Sequence, residues 1–406
     1  MKVIPGGVTA APGFKAAGVH AGIKKSNKNK PDVAVIFSEV PATAGGVFTQ
    51  NRVRAAPVVF SQKVVNEGMA QALVVNSGNA NACTGIEGEE TTRLMAYWTA
   101  QGLGIDEKKV LVSSTGVIGH QLPRDIVKIG IEKAVSCLSR DGGHDAAIAI
   151  MTTDLFYKEI AVQTMVGDKL ITVGGMCKGS GMIHPNMATM LSFITTDAAV
   201  DAAVLQKALK KAVDKSFNMI TVDGDTSTND MAIILANGTA GNQIIDGNSP
   251  ALKQFQEALD YVCIELAKML ARDGEGASKL LEVQVKNALN VVDARIAAKA
   301  VVSSSLVKSA FFGEDANWGR ILCAVGYSGA EFDPEAVEIW LESVSGREKV
   351  AEHGTGLEFN EEHAKKVLKE KEIKVIVDLH QGSEEATAWG CDLTYDYVKI
   401  NADYRT

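Results

Sequence analysis

Short apolar runs recur along this chain, flanked by polar or glycine-containing turns and separated by stretches of helical periodicity. This alternation is the strongest constraint on its fold. A chain that switches repeatedly between a period of two and a period near 3.6 builds an α/β protein. The pattern predicts strands at residues 32–37, 72–75, 110–113, 170–173, 190–195, 231–235, 281–285, 320–325 and 373–379. The clearest helix is predicted over residues 250–272. Leu252, Phe255, Leu259, Val262, Leu266, Met269 and Leu270 fall on one stripe of it, and Asp273-Gly274 ends it. A second helix is expected over residues 124–138, with Ile126, Ile129, Ile131, Ala134 and Val135 available for packing.

Composition narrows the function classes. At 406 residues, 46% of them hydrophobic, the chain suits roughly two to three domains or one large two-part fold. A net charge of −8 argues against a general nucleic-acid or acidic-membrane surface. No long uncharged apolar run predicts a membrane span, and Met1-Lys2-Val3-Ile4-Pro5-Gly6-Gly7 does not lead into a signal-peptide core. The expectation is a cytoplasmic protein. Its six cysteines are far apart and form no CxxC pair, and its seven histidines show no metal-ligand spacing. No metal is therefore expected. The stretch Asp223-Gly224-Asp225-Thr226-Ser227-Thr228 begins like a calcium loop, but Thr228 stands where glycine is needed and Ile234 where the loop needs glutamate. Walker A and GxSxG motifs are absent, as is the Gln/Arg-x-x-Gly-x-Gly/Ala pyrophosphate turn of common acetyl-CoA-dependent N-acetyltransferases.

Three small, polar, glycine-containing segments follow apolar runs: residues 75–82, 113–119 and 176–182. Such segments leave backbone N–H groups free to bind an anion or oxyanion. The third continues through Lys178-Gly179-Ser180-Gly181-Met182-Ile183-His184-Pro185-Asn186-Met187-Ala188-Thr189-Met190-Leu191 and places a threonine at the start of a strand. A threonine hydroxyl is a weak nucleophile at neutral pH. If the chain is cut before Thr189, its new α-amine has a reference pKa of about 7.7–8.0 and can accept the hydroxyl proton. The nucleophile then carries its own base.

This string resembles the self-processing site of the ornithine acetyltransferases, also called bifunctional glutamate and ornithine acetyltransferases. The segments SSTGVIG at 113–119, NSGNANACTG at 76–85, ARDGEGASK at 271–279 and the ending NADYRT are similar to the same family. The resemblance implies cleavage between Ala188 and Thr189, giving an α chain of residues 1–188 and a β chain of residues 189–406. Two copies of each are expected to assemble. It implies Thr189 as nucleophile, Thr115 and Gly116 as the oxyanion hole, and Thr153, Lys178, Thr189, Glu275, Asn401 and Thr406 as substrate contacts. The implied fold is a layered α-β-β-α sandwich of the self-processing N-terminal-nucleophile kind, with a smaller C-terminal α/β part. The implied reaction is ping-pong acetyl transfer from N2-acetylornithine to glutamate in arginine biosynthesis. Acetyl-CoA is a second donor in bifunctional members, and no bound cofactor is implied. A monofunctional enzyme without acetyl-CoA activity, or an amidohydrolase or aminopeptidase on the same scaffold, are the alternative readings. His184, ahead of Pro185, is read as shaping the scissile turn rather than as a catalyst.

Overall fold

The computed structural model describes residues 1–24, 30–184 and 190–403. Ala188, Thr189 and Thr406 lie outside the described residues. The first strands are β1 (Lys2–Ile4), β2 (Phe14–Val19), β3 (Val33–Phe48), β4 (Met69–Asn79) and β5 (Val110–Val117). They are followed by β6 (Lys158–Val166), β7 (Lys169–Lys178), β8 (Leu191–Thr196) and β9 (Met231–Ala236). Helices α1 (Ala56–Asn66), α2 (Gly85–Leu103), α3 (Arg124–Ser136), α4 (Gly143–Ala149), α5 (Ala202–Lys215) and α6 (Leu252–Arg272) lie among them.

Strand β3 belongs to two layers. Its residues 33–38 pair with β2, and residues 33–37 also pair with β4, whereas residues 43–48 pair with β9. The register with β4 shifts between Phe37 and Ala42, the stretch that contains Pro41, which has no N–H to give a ladder. One layer is therefore β2-β3-β4-β5, and the other runs β1-β6-β7-β8-β9 into the end of β3.

Side-chain alternation explains why these runs read as continuously apolar. On β3, β4 and β5, Ile36, Leu73, Val75 and Leu111 point between the layers. Their neighbours Val35, Ala72, Val74, Val110 and Val112 point outward against Met95 of α2 and Val127 and Ile131 of α3. On β8 and β9, Phe193, Ile233 and Leu235 share the inter-layer core, while Ile194, Ala232 and Ile234 pack toward Leu205 and Leu209 of α5 and Phe255 and Leu259 of α6. Both faces of both sheets are covered, so strands lack the polar face of a half-exposed sheet. The result is the layered α-β-β-α order.

A smaller sheet follows, ordered β13-β12-β11-β14-β10-β15. Its strands are β10 (Leu280–Ala288), β11 (Glu338–Ser343), β12 (Gly346–Glu352), β13 (Thr355–Gly356), β14 (Glu372–Asp378) and β15 (Glu384–Cys391). Helices α7 (Val291–Ser303), α8 (Ser305–Phe312), α9 (Trp318–Gly326) and α10 (Glu361–Leu368) accompany it, and α11 (Tyr395–Asp403) returns toward the larger part.

The predicted strand at residues 320–325 is instead part of helix α9. Ile321, Ala324 and Val325 are buried at helical spacing, and the Asn317 side chain caps the helix by accepting from Arg320 N. The polar segments at 75–82, 113–119 and 176–182 also begin inside strands, since β4, β5 and β7 extend through Asn79, Val117 and Lys178. Among the described residues, no helix is long and apolar enough to cross a membrane.

Candidate active site

Parallel pairing of β4 and β5 carries their polar C-terminal ends to one place, with Ser77 opposite Thr115 and Gly78 opposite Gly116. Gly116 has φ +130°, and a Cβ there would lie 2.3 Å from the carbonyl carbon of Gly78. Only glycine permits this approach. Asn229, just before β9, donates through Nδ2 to Ala80 O at 2.6 Å and Ser114 O at 2.8 Å, while Ser114 Oγ donates to Asn76 Oδ1. The Ser114–Gly116 segment is thus clamped from β4 and from the residue before β9.

Lys178, the last residue of β7, reaches this segment. Its Nζ donates to Thr152 Oγ1 at 2.7 Å and to Thr115 Oγ1 at 3.3 Å. An ammonium bonded to the Thr115 oxygen leaves the hydroxyl proton free to be donated onward. Burial pushes the Lys178 pKa down, and Asp154 opposes that shift.

Beneath Lys178 lies an ion triad that sequence reasoning missed. Lys158 Nζ, fully buried, is 2.7 Å from Asp154 Oδ1 and 2.5 Å from Asp273 Oδ2. Burial would raise the Asp154 carboxyl, but Lys158 and Lys178 outweigh it and hold the group well below the usual carboxylate range. Burial raises Asp273. Asp154 also accepts from Gly179 N at 2.7 Å and Thr152 N at 2.9 Å, and Asp273 accepts from Leu155 N. The triad therefore fixes the backbone on both sides of the Lys178 contacts. No local spacing announces it, because its members come from a loop, β6 and the turn after α6.

A cavity of about 490 Å³ adjoins this cluster and is lined by Thr153, Leu155, Ser180, Glu275, Lys399 and Ile400, among others. Glu275 is buried, its N donates to Ser180 O, and a Cβ on Gly181 would fall 2.3 Å from its carboxylate. Asn401 Nδ2 donates to Glu275 Oε2 at 3.0 Å. The predicted residues Thr115, Gly116, Thr153, Lys178, Glu275 and Asn401 thus gather in one region. Thr189, Ala188 and Thr406 fall outside the described residues, although Met190 N-terminal to β8 is tied to β9 by Met231 N donating to Met190 O.

Two further groups stand near His184 and Met190, the described residues on either side of 185–189. Asp230 is buried, its Oδ2 has no hydrogen-bond partner among the described residues, and burial raises its pKa well above the ordinary value. It belongs to the polar stretch set aside as a failed calcium loop; the density of polar residues directly before an apolar strand was its available signal. His184 Nδ1 lies 3.0 Å from Thr221 Oγ1, and Thr226 Oγ1 donates to the His184 carbonyl. Burial and then the Lys299 charge push the His184 pKa down to about 4, so the imidazole is neutral near pH 7.

Comparison with known proteins shows the family. The profile of the ArgJ family matches residues 15–406. The arginine biosynthesis bifunctional protein ArgJ of Symbiobacterium thermophilum is 57% identical over 406 residues, covering all of both chains. Its counterpart from Caldanaerobacter subterraneus subsp. tengcongensis is 56% identical, again over both complete chains. Among solved structures, the arginine biosynthesis bifunctional protein ArgJ of Bacillus halodurans is similar with a TM-score of 0.51 and 48% identity, covering 53% of this chain and all of that one. This chain belongs to the ArgJ family.

Proposed function

We propose that this chain cleaves itself between Ala188 and Thr189 and then transfers acetyl from N2-acetylornithine to glutamate through an acetyl-Thr189 ester, as a cytoplasmic enzyme of arginine biosynthesis. The observation that carries the reading is the hydrogen-bonded run Thr115–Lys178–Thr152 near a cavity lined by Glu275, to which Asn401 donates. It offers an oxyanion donor, a cation for a substrate carboxylate and an anion for a substrate ammonium. N-acetylornithine and glutamate are small and carry such charges.

The Thr189 α-amine takes the hydroxyl proton as Oγ1 attacks the acetyl carbonyl carbon. The Thr115 hydroxyl and Gly116 N–H stabilise the resulting oxyanion. Collapse breaks the amide C–N bond, the α-ammonium returns the proton to the leaving nitrogen, and ornithine departs. The amine of glutamate then attacks the ester, regenerating the Thr189 hydroxyl and giving N-acetylglutamate. Acetyl-CoA acts as a second donor to the same hydroxyl, with the thiol leaving. Two α and two β chains form the assembly. The processing reading is supported by the Bacillus halodurans chain, which is covered completely yet matches only 53% of this one. Residues 189–406 make up slightly over half of the sequence.

The test is to supply N-acetylornithine and glutamate to the purified protein and measure N-acetylglutamate, ornithine and free acetate. Equimolar N-acetylglutamate and ornithine are expected. Free acetate with no N-acetylglutamate would replace this reading with an amidohydrolase.

A further inference from the structure

A second concavity opens at the same end of the sheet, where β3 finishes. It has a volume of about 510 Å³, and its walls include Thr49, Arg52, Arg54, Gln206 and Lys210. That volume suits a small-molecule ligand. The arginines stand on the segment between β3 and α1, and Lys210 comes from α5, so three cations from two elements converge. All three are exposed, and no carboxylate lines the cavity. Among the described residues none of the three is ion-paired; Arg54 Nη1 has a contact of 3.3 Å to Gln62 Oε1. Such a gathering is notable in a chain of net charge −8, where surface cations have many carboxylates available.

The chemistry selects the ligand. Guanidinium forks match phosphate oxygens bidentately, and three cations on a wall with no carboxylate among the described residues favour a ligand with several negative charges. The amino-acid cavity differs, since it carries Glu275. Gln206 is no ligand group here, because its amide is spent on Gly46, accepting from N and donating to O at 2.9 Å each.

Position links this cavity to the strand that follows residue 189. Phe48 pairs with Met231, and Met231 pairs with Leu191, so the end of β3 lies about two strand spacings, roughly 10 Å, from the start of β8. Asn51 Nδ2 donates to Thr226 O, and Thr226 Oγ1 donates to His184 O. The cavity wall is thereby bonded to the segment that leads into residues 185–189.

We propose that this basic cavity receives the phosphate-bearing nucleotide end of acetyl-CoA, while the uncharged pantetheine arm carries the acetyl thioester to Thr189. The two donors then enter from separate sides: N-acetylornithine through the Glu275 cavity, and the thioester across the end of β3. The inference rests on the reading of acetyl-CoA as a second donor.

The experiment compares processed wild type with the triple variant Arg52→Ala, Arg54→Ala, Lys210→Ala, using three acetyl donors and glutamate. The donors are acetyl-CoA, S-acetyl-N-acetylcysteamine, which keeps the thioester but has no phosphate, and N-acetylornithine. The triple variant should raise KM for acetyl-CoA about tenfold or more, with the other two donors changed by less than about twofold. Lys210→Glu alone should move KM for acetyl-CoA in the same direction. An unchanged KM for acetyl-CoA in the triple variant, or an equal loss with all three donors, would overturn the proposal. Calorimetric titration with coenzyme A adds a readout independent of turnover. Binding to wild type that is lost in the triple variant supports the site. No binding to wild type would overturn both this site and the acetyl-CoA donor reading, leaving N-acetylornithine transfer standing on its own assay.

Discussion

The Thr115 hydroxyl, proposed as an oxyanion donor, is already held in place by its neighbours. Lys178 Nζ occupies one side of its oxygen at 3.3 Å, and Gly116 beside it adopts a conformation that a side chain would block. Donors fixed in this way need little reorganisation when negative charge develops. Thr115→Ala should therefore lower turnover roughly 100- to 1000-fold, the range for loss of one oxyanion donor. Steady-state kinetics on fully processed Thr115→Ala enzyme checks this, and unchanged turnover would remove the residue from the mechanism. Of the described residues assigned by resemblance, Thr115, Gly116 and Lys178 lie near strand ends and Thr153 and Glu275 on loops, while Asn401 comes from α11. The partners that hold them do not share that visibility. Nothing local to Lys158 marks it as a fully buried cation, since its two carboxylates are four and 115 positions away.

Lys158 acts between elements. It projects from β6, binds Asp154 in the preceding loop and Asp273 just after α6, and so ties the end of α6 to β6 and to the loop before it. Removing one member of a buried ion cluster strands the opposite charge, so Lys158→Met should cost about 3–5 kcal/mol of stability. Denaturant unfolding would measure it, and a loss below about 1 kcal/mol would place the triad among weakly contributing ion pairs. The element pattern itself was largely legible in sequence. Runs such as residues 72–75, 110–113 and 231–235 are strands because both faces of their sheets are buried, and α6 follows its apolar stripe closely. Residues 320–325 misled because a short apolar run fits either period. The Asn317 cap and the burial of Ile321, Ala324 and Val325 decide for a helix. The splitting of β3 between two layers was not legible, since it depends on which partners the strand finds on either side of Pro41.

On the scale of the whole molecule, residues on both sides of the proposed cut build one core and one site. Strands β6 and β7 precede residue 189 and pair in the same sheet with β8 and β9, which follow it, so a nicked chain has every reason to stay together. The C-terminal segment closes one wall of the cavity lined by Glu275: Thr394 Oγ1 donates to Gly276 O at 2.6 Å, and Asn401 reaches Glu275. Deleting residues 401–406 should raise KM for N-acetylornithine and glutamate while leaving cleavage intact, because these contacts lie far from the scissile bond in sequence. Wild-type constants in the truncated enzyme would make the tail a bystander. We assign Thr189 both roles, processing residue and acetyl carrier. Intact-mass spectrometry of denatured protein tests this most directly, on wild type and Thr189→Ala, after incubation with N-acetylornithine in the absence of glutamate. Wild type should appear as two chains, 1–188 and 189–406, with one acetyl group added to the second, and Thr189→Ala as one unmodified chain. An acetyl group on any other residue, or cleavage of Thr189→Ala at the same bond, would contradict the account.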